Sequence, residues 1–358
     1  MRKLLTVFTY RHEDYPRAKT MNRAIESSGL FDSVRHIDHG GSSKLRYPKA
    51  IVSFVFELVT FRPTHIFLHF RSHEILPFAI WGRQKVIFDE FVPLVSWLSD
   101  RKKINESSGL FRIVSRFWSF CLGRTLLVLE DTKANCEVTV ALLGKSSAKV
   151  REIPVGADPA FATLPSMAHS SSTEPLRVLF YSSMLPLHGE KVVLEAFQAL
   201  PPNVNLRLTV VGVGSEEMLR KWSALESTSL EIEVTGRIPH SEIVSLMGRT
   251  DIVLCGPFGA FPQSQRVITG KTFETMASGR VGIIGKNVES LSAFGSASVA
   301  SLVEIGSPKS LVDSLVWCHK NRNELPNIGR QAKEFFEANY SDERLGQILR
   351  DSILSVER

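Results

Sequence analysis

At 358 residues and 43% hydrophobic content, the chain can bury two ordinary cores and exceeds one typical domain. Its net charge of +6 is uneven: residues 1–155 hold 24 Lys and Arg against 15 Asp and Glu, a balance of +9, and the remainder stands at −3. The basic half favours an anionic partner, but no Lys/Arg run interleaved with aromatics marks a nucleic-acid binder, and four cysteines without a CxxC pair exclude a disulfide framework and fit a reducing compartment.

In chain order, MRKLLTVFTY starts basic, but its apolar run breaks within seven residues and no small-residue cleavage site follows. It reads as a first strand and not as a signal peptide, so a cytoplasmic protein is expected. Further strands are expected at VRHIDH, HIFLHF, KVIFDEF, TLLVLED and KVREIPV, with helix-periodic segments between them. AIVSFVFELVTF carries Glu57 and stops at Arg62-Pro63, well short of a spanning helix. The stretch GADPAFATLPSMAHSSSTEP lacks apolar periodicity, as a linker should. Beyond it the strand pattern resumes with LRVLFYSS, NLRLTVVG, LEIEVTG, DIVLCGP and RVGIIGK, and Tyr340-Ser341-Asp342-Glu343 offers a break and a new helix cap near the end.

The expected organisation is a first domain over 1–156, a linker over 157–175, a second domain over 176–326, and C-terminal helices over 327–358. The fold class is α/β, two Rossmann-like βαβ domains with parallel sheets facing across a cleft. Ligands of such sheets bind outside the carboxyl ends of the strands, which makes that cleft the expected site.

Residues 251–285, DIVLCGPFGAFPQSQRVITGKTFETMASGRVGIIG, carry the most chemistry. A strand ends at Cys255, a loop follows, and Thr269 is expected to cap a helix that stops at Gly279. Lys271 falls in the first turn of that helix, where a cation opposes the macrodipole and a bound anion removes the conflict. The backbone N–H groups of the turn, Lys271 and nearby Arg266 would suit a diphosphate. Glu274, three residues on and on the same face, can accept two hydrogen bonds from a ribose diol. The plain alternative is a surface Lys–Glu pair.

This stretch resembles the donor segment of glycosyltransferase family 4, a family of two-domain GT-B enzymes. TFETMASGRVGII matches the wording around the second glutamate of the family's E-x7-E, at Glu274, while Arg266 stands where the first glutamate would be. Other segments resemble the family in the same order: YSSMLPLHGEKVVLEAF with His188 and Gly189, LTVVGVGSEE with Gly212 and Gly214, and VTGRIPHSEIVSLMGRTDIVL with Gly236 and Arg237. The resemblance implies a retaining glycosyltransferase of hexosyl type that moves a sugar from a nucleoside-diphosphate sugar to a glycan or lipid-linked acceptor. The donor would be held by these residues with Arg266, Val267, Lys271 and Glu274, and without a cofactor or metal. Arg266 and Glu274 would join Asp89 of the first domain in the catalytic set.

Asp89 ends the strand VIFDEF; it would orient the acceptor or stabilise charge at the sugar, or else cap the next helix. His69, Arg71 and His73 in HFRSHEILP are acceptor-side candidates, with a structural role as the alternative for each histidine. In LEDTKANCEV, Asp131 or Thr132 is read as a helix cap. No H-x3-H or D-x-D arrangement supports a metal. A nucleotide-sugar epimerase of the same architecture and a non-catalytic binding subunit are the competing readings, the second because of Arg266. In SGLFRIVSRFWSFCLGR, Leu110, Ile113, Val114, Phe117 and Cys121 form the stripe expected on the sheet. Phe111, Trp118 and Leu122 form a second stripe. With the basic residues of 101–124, that second stripe would dip into an anionic membrane at the inner leaflet, or else both stripes are buried between this helix and its neighbours.

Overall fold

A computed structural model of the chain describes residues 1–10, 15–144, 149–167 and 174–358. It divides into two units, Met1–Gly156 with Ser341–Arg358, and Ala157–Tyr340.

In the first unit, six parallel strands run in the order β2-β1-β3-β4-β5-β6. They are β1 (Lys3–Phe8), β2 (Ser33–Asp38), β3 (His65–Leu68), β4 (Lys85–Phe91), β5 (Leu127–Glu130) and β6 (Val150–Glu152). The near-continuous buried runs of β1, β3, β4 and β5 arise because both faces of the sheet are covered. On one face Leu5, Val7 and Phe88 pack against α2 (Arg46–Thr60), α3 (Leu76–Ala79), α5 (Gly109–Gly123) and α6 (Lys133–Leu143). On the other, Leu4, Phe67 and Leu129 pack against α1 (Pro16–Ser28) and α15 (Asp342–Glu357). Thr132, and not Asp131, caps α6 by accepting from Asn135 N–H. Between β4 and α5 lies α4 (Leu94–Asp100).

The segment expected as a block of C-terminal helices over 327–358 divides at Tyr340. α14 (Leu325–Tyr340) stays with the second unit, whereas α15 belongs to the first. Leu345, Leu349 and Ile353, spaced by one helical turn, are fully buried there. A Cβ on Gly346 would lie 2.7 Å from Ser27 Cβ, so α15 and α1 approach closely. Arg23 and Asp342 pair at 2.7 Å.

The second unit repeats the architecture in the order β12-β11-β10-β7-β8-β9. These are β7 (Leu176–Tyr181), β8 (Leu206–Val211), β9 (Leu230–Thr235), β10 (Ile252–Gly256), β11 (Val281–Lys286) and β12 (Ala300–Glu304). The edge strand β12, ASLVE, escaped the sequence reading because its serine, its terminal glutamate and its single buried residue leave no apolar run. Its helices include α8 (Glu190–Gln198), α9 (Glu216–Ser223), α10 (His240–Met247), α11 (Gly270–Ala277), α12 (Val288–Phe294) and α13 (Pro308–Lys320). The expected linker is partly built: α7 (Pro159–Ala162) is capped by Asp158 and buries Phe161 completely. Residues 168–173 of that linker lie outside the described residues.

Candidate functional site

The second sheet grows from β7 in both directions, β8 and β9 on one side and β10, β11 and β12 on the other. Such a switch point opens a crevice at the carboxyl ends of the central strands. Two loops interlock beside it. Gly189, at φ 69°, follows a short 3-10 turn over Pro186–His188, and a Cβ there would lie 2.4 Å from Gly259 N in the loop after β10. Gly212, at φ 101° after β8, passes so close to Ser182 that a Cβ would lie 1.9 Å from its carbonyl oxygen. Only glycine combines this backbone with this approach.

α11 starts at the same crevice. Thr269 holds its N-cap position in extended backbone, but its hydroxyl donates to Cys255 O at 2.9 Å instead of accepting from the first turn. The expected side-chain cap is therefore not made. Lys271, in that turn, is only 8% exposed, and its Nζ has no hydrogen-bond partner among the described residues. It lies 5.4 and 5.8 Å from the ring centres of Phe180 and Tyr181. Burial pushes its pKa down to about 8, against the pull of Cys255 and Glu274. Cation–π contacts of about 0.5–2 kcal/mol offset only part of a desolvation cost of several kcal/mol. The position suits an anion that would bond both the ammonium group and the helix start.

Glu274, 7% exposed, accepts a hydrogen bond from the Tyr181 hydroxyl. Burial raises its pKa, opposed by Tyr181, His240 and Lys271, while burial and Glu274 hold the Tyr181 phenol well above its usual range. Because both Lys271 and Glu274 are buried, they are not a surface pair. The sequence reading missed Tyr181; its signal was its place as the last residue of the strand at the switch point.

Ser182 carries the site onward. Its hydroxyl accepts from Met184 N–H at 2.9 Å and sits 2.5 Å from His188 Nδ1, which fixes the imidazole in its loop. Gly212 N–H in turn donates to Gly236 O at 3.0 Å, joining the ends of β8 and β9. Tyr181-Ser182 thus links the Lys271–Glu274 pair to His188, Gly212 and Gly236. Gly214 and Arg237 are exposed beyond these strand ends. Arg266 closes the 3-10 turn Pro262–Gln265, and Val267 beside it is buried. Asn287, also missed, donates to Ser264 O at 2.7 Å and Val267 O at 2.9 Å and so ties this loop to the start of α12.

The first-unit candidates are placed differently from the expectation. Asp89 is fully buried, and both its oxygens are taken by Arg17 at 2.9–3.2 Å, whose remaining donors reach Ile153 O and Pro154 O at 2.9 and 2.6 Å. Burial raises the Asp89 pKa and Arg17 counters it. It is a strut between α1, β4 and the segment after β6, which corrects the acceptor-side role. Nor does it cap α4: Glu90 Oε1 accepts from Leu94 N–H at 2.8 Å and from Trp118 Nε1 at 2.7 Å. His69 packs edge-on to Phe8 and tilted on Phe67, and His73 stacks on Trp118 at 5.1 Å. Burial pushes both imidazoles down to about 3, so they are neutral packing groups at pH 7. Arg71, at φ 69°, lays its guanidinium over Trp97, Phe70 and Tyr10 at 4.5, 5.1 and 5.8 Å. Among the described residues no group of three His, Cys, Asp or Glu side chains is placed to hold a metal ion.

Two doubly wound units with a glycine-shaped, cation-bearing crevice at one switch point have the fold of two-domain glycosyltransferases of the GT-B kind. Anabaena HepE, solved with UDP-glucose, aligns with a TM-score of 0.71 and 14% identity over 99% of this chain and 100% of its own. Sucrose-phosphate synthase from Thermosynechococcus elongatus aligns at 0.73 and 11% over 100% and 99%, and a glycosyltransferase from Rickettsia africae at 0.70 and 12% over the same shares. No curated protein sequence matches the chain. Residues 166–335 match the family described as Glycosyl transferases group 1. That match lies within the second unit.

Proposed function

We propose that the chain is a retaining, hexosyl-type glycosyltransferase that moves a sugar from a nucleoside-diphosphate sugar to a glycan or lipid-linked acceptor. Its setting would be cell-surface polysaccharide or glycoconjugate synthesis at the cytoplasmic face of the membrane. The observation that carries this reading is Lys271, a buried ammonium group without a hydrogen-bond partner among the described residues, in the first turn of α11 at the switch point. The donor's diphosphate would bond this ammonium and the backbone N–H groups of the turn, with Arg266 supplying a second cation from the loop before it. Glu274, steadied by Tyr181, would accept from the ribose hydroxyls. As the bond from the anomeric carbon to the diphosphate oxygen breaks, negative charge grows on that oxygen. Fixed positive groups stabilise it there, so the chain's own contribution is positioning and electrostatics, without a metal.

UDP-glucose, the ligand solved in HepE, is the first donor to try. Calorimetry should show binding that Glu274→Ala weakens by about 1.5–3 kcal/mol, the range for hydrogen bonds to charged groups. NMR of the transfer product should show the donor's anomeric configuration retained; inversion would exclude the mechanism. A changed sugar formed from the nucleotide sugar alone would select the epimerase. Binding with neither transfer nor hydrolysis would select the non-catalytic subunit.

A further inference from the structure

The helical layer on one face of the first sheet is apolar on both its sides. α2, α3 and α5 fill the sheet-facing core with Phe54, Leu76 and Trp118. Outward, the same layer presents Val55 and Phe56 on α2, Trp81 just after α3, and Ile113, Phe117 and Phe120 on α5, all 45–68% exposed. For α5 this overturns the expected assignment of the stripes except at Cys121, which is buried in the core as expected. Trp118 and Leu122 face the sheet and Phe111 packs against the same core, whereas Leu110, Ile113 and Phe117 face outward. Trp81 and Phe120 lie 6.1 Å apart, and the Arg124 guanidinium covers both rings at 4.8 and 4.7 Å, so the end of α3 and α5 form one surface. Isolated apolar side chains are ordinary on a protein exterior, but six large ones exposed on a single helical layer, two of them sharing one guanidinium cover, are not.

Charge says what covers it. α5 has no acidic residue but carries exposed Arg112 and Arg116, is preceded by Arg101-Lys102-Lys103 and is followed by Arg124. A second copy docked by the same patch would set these cations against one another in a two-fold interface. Among the described residues no helix is long and apolar enough to cross a membrane. An anionic lipid surface takes both components: acyl chains receive the rings, and headgroups receive the guanidinium groups. We propose that this face of α2, α3 and α5 docks the protein on an anionic membrane surface. The proposal rests on the first unit alone and stands independently of the donor site; where the donor reading also holds, it brings the enzyme to a lipid-linked acceptor.

The test is flotation with vesicles of phosphatidylcholine containing about 30 mol% phosphatidylglycerol, against phosphatidylcholine alone, at about 0.1 and 0.5 M salt. The intact chain should float with the anionic vesicles and much less with the neutral ones. Ile113→Ser/Phe117→Ser and Val55→Ser/Phe56→Ser should each lower the partition roughly tenfold or more. Arg112→Gln/Arg116→Gln should lower it by about fivefold per guanidinium at low salt and little at high salt. All these side chains point outward, so thermal unfolding should be unchanged. Calorimetric UDP-glucose binding in the same samples separates a failure here from a failure of the donor reading. Absence of flotation by the intact chain, or equal flotation of all variants, overturns the proposal. So does a dimer in sedimentation velocity that Ile113→Ser/Phe117→Ser dissociates, which would give the face to a second copy.

Discussion

Each unit hides a basic side chain against the ends of its strands, and the two are treated oppositely. Arg17 in the first unit spends its donors within the fold, on the Asp89 carboxylate and on the carbonyls of Ile153 and Pro154. Lys271 in the second is buried too, but its ammonium lies over the faces of Phe180 and Tyr181 without a hydrogen-bond partner among the described residues. Burial alone therefore does not separate a structural charge from a binding one; pairing does. An ion satisfied by its own chain holds the chain together, whereas one surrounded by rings at a helix start has its bonding capacity left for a ligand.

The comparison breaks most visibly on the structural side. Asp89→Ala strands Arg17 as an uncompensated buried charge and should cost about 3–5 kcal/mol in chemical denaturation. Nucleotide affinity of the folded protein should not change. A variant as stable as the parent would mean that Arg17 does not depend on its partner.

Lys271→Met should do the reverse, leaving denaturation stability equal or higher while weakening UDP-glucose binding by about 1.5–3 kcal/mol in calorimetry. The pH dependence sharpens this. Since the Lys271 pKa in the free protein is about 8, its ammonium loses its proton as pH rises through that value. A diphosphate needs the charged form, so affinity should fall above pH 8, with proton uptake on binding detectable in buffers of different ionisation enthalpy. The methionine variant should show neither effect.

The most gradual expected effect concerns Asp131, whose pKa burial raises to about 7 against the hydrogen bonds from Asn135 and Thr132. An unfolded aspartate titrates near 4, so between about pH 4 and 7 the folded state holds the extra proton and stability declines as pH rises. Glu90 and Glu130, buried and raised in the same way, add slope of the same sign. Asp131→Asn should remove at most about 1.4 kcal/mol per pH unit from that slope in denaturation series.

The parallel strands were legible because strands buried on both faces write apolar runs into the chain, as KLLTVF and DIVLCG do. Lys271 was legible because a cation in a first helical turn is locally unfavourable. Tyr181 and Asn287 were not: each acts on residues 93 and 20–23 positions away, through contacts that no local pattern encodes. The face of α5 was misjudged for a different reason. Both of its stripes are apolar, so periodicity cannot choose between them. The polar atom decides, since Trp118 Nε1 finds the buried Glu90 carboxylate only when its stripe faces inward. Asp89 misled in the complementary way, because a carboxylate at a strand end looks the same whether it serves a reactant or an arginine 72 positions away in the chain.

The last helix sets an order of assembly. The second unit closes at Tyr340, but the first, which the ribosome makes earlier, has to wait for Leu345, Leu349 and Ile353 to cover the face of its sheet beside α1. The portion synthesised first is thus completed last. While the chain grows, an apolar strip along Met21, Ile25 and Phe67 remains without its cover until α15 arrives, and transiently exposed apolar surface of this kind favours aggregation.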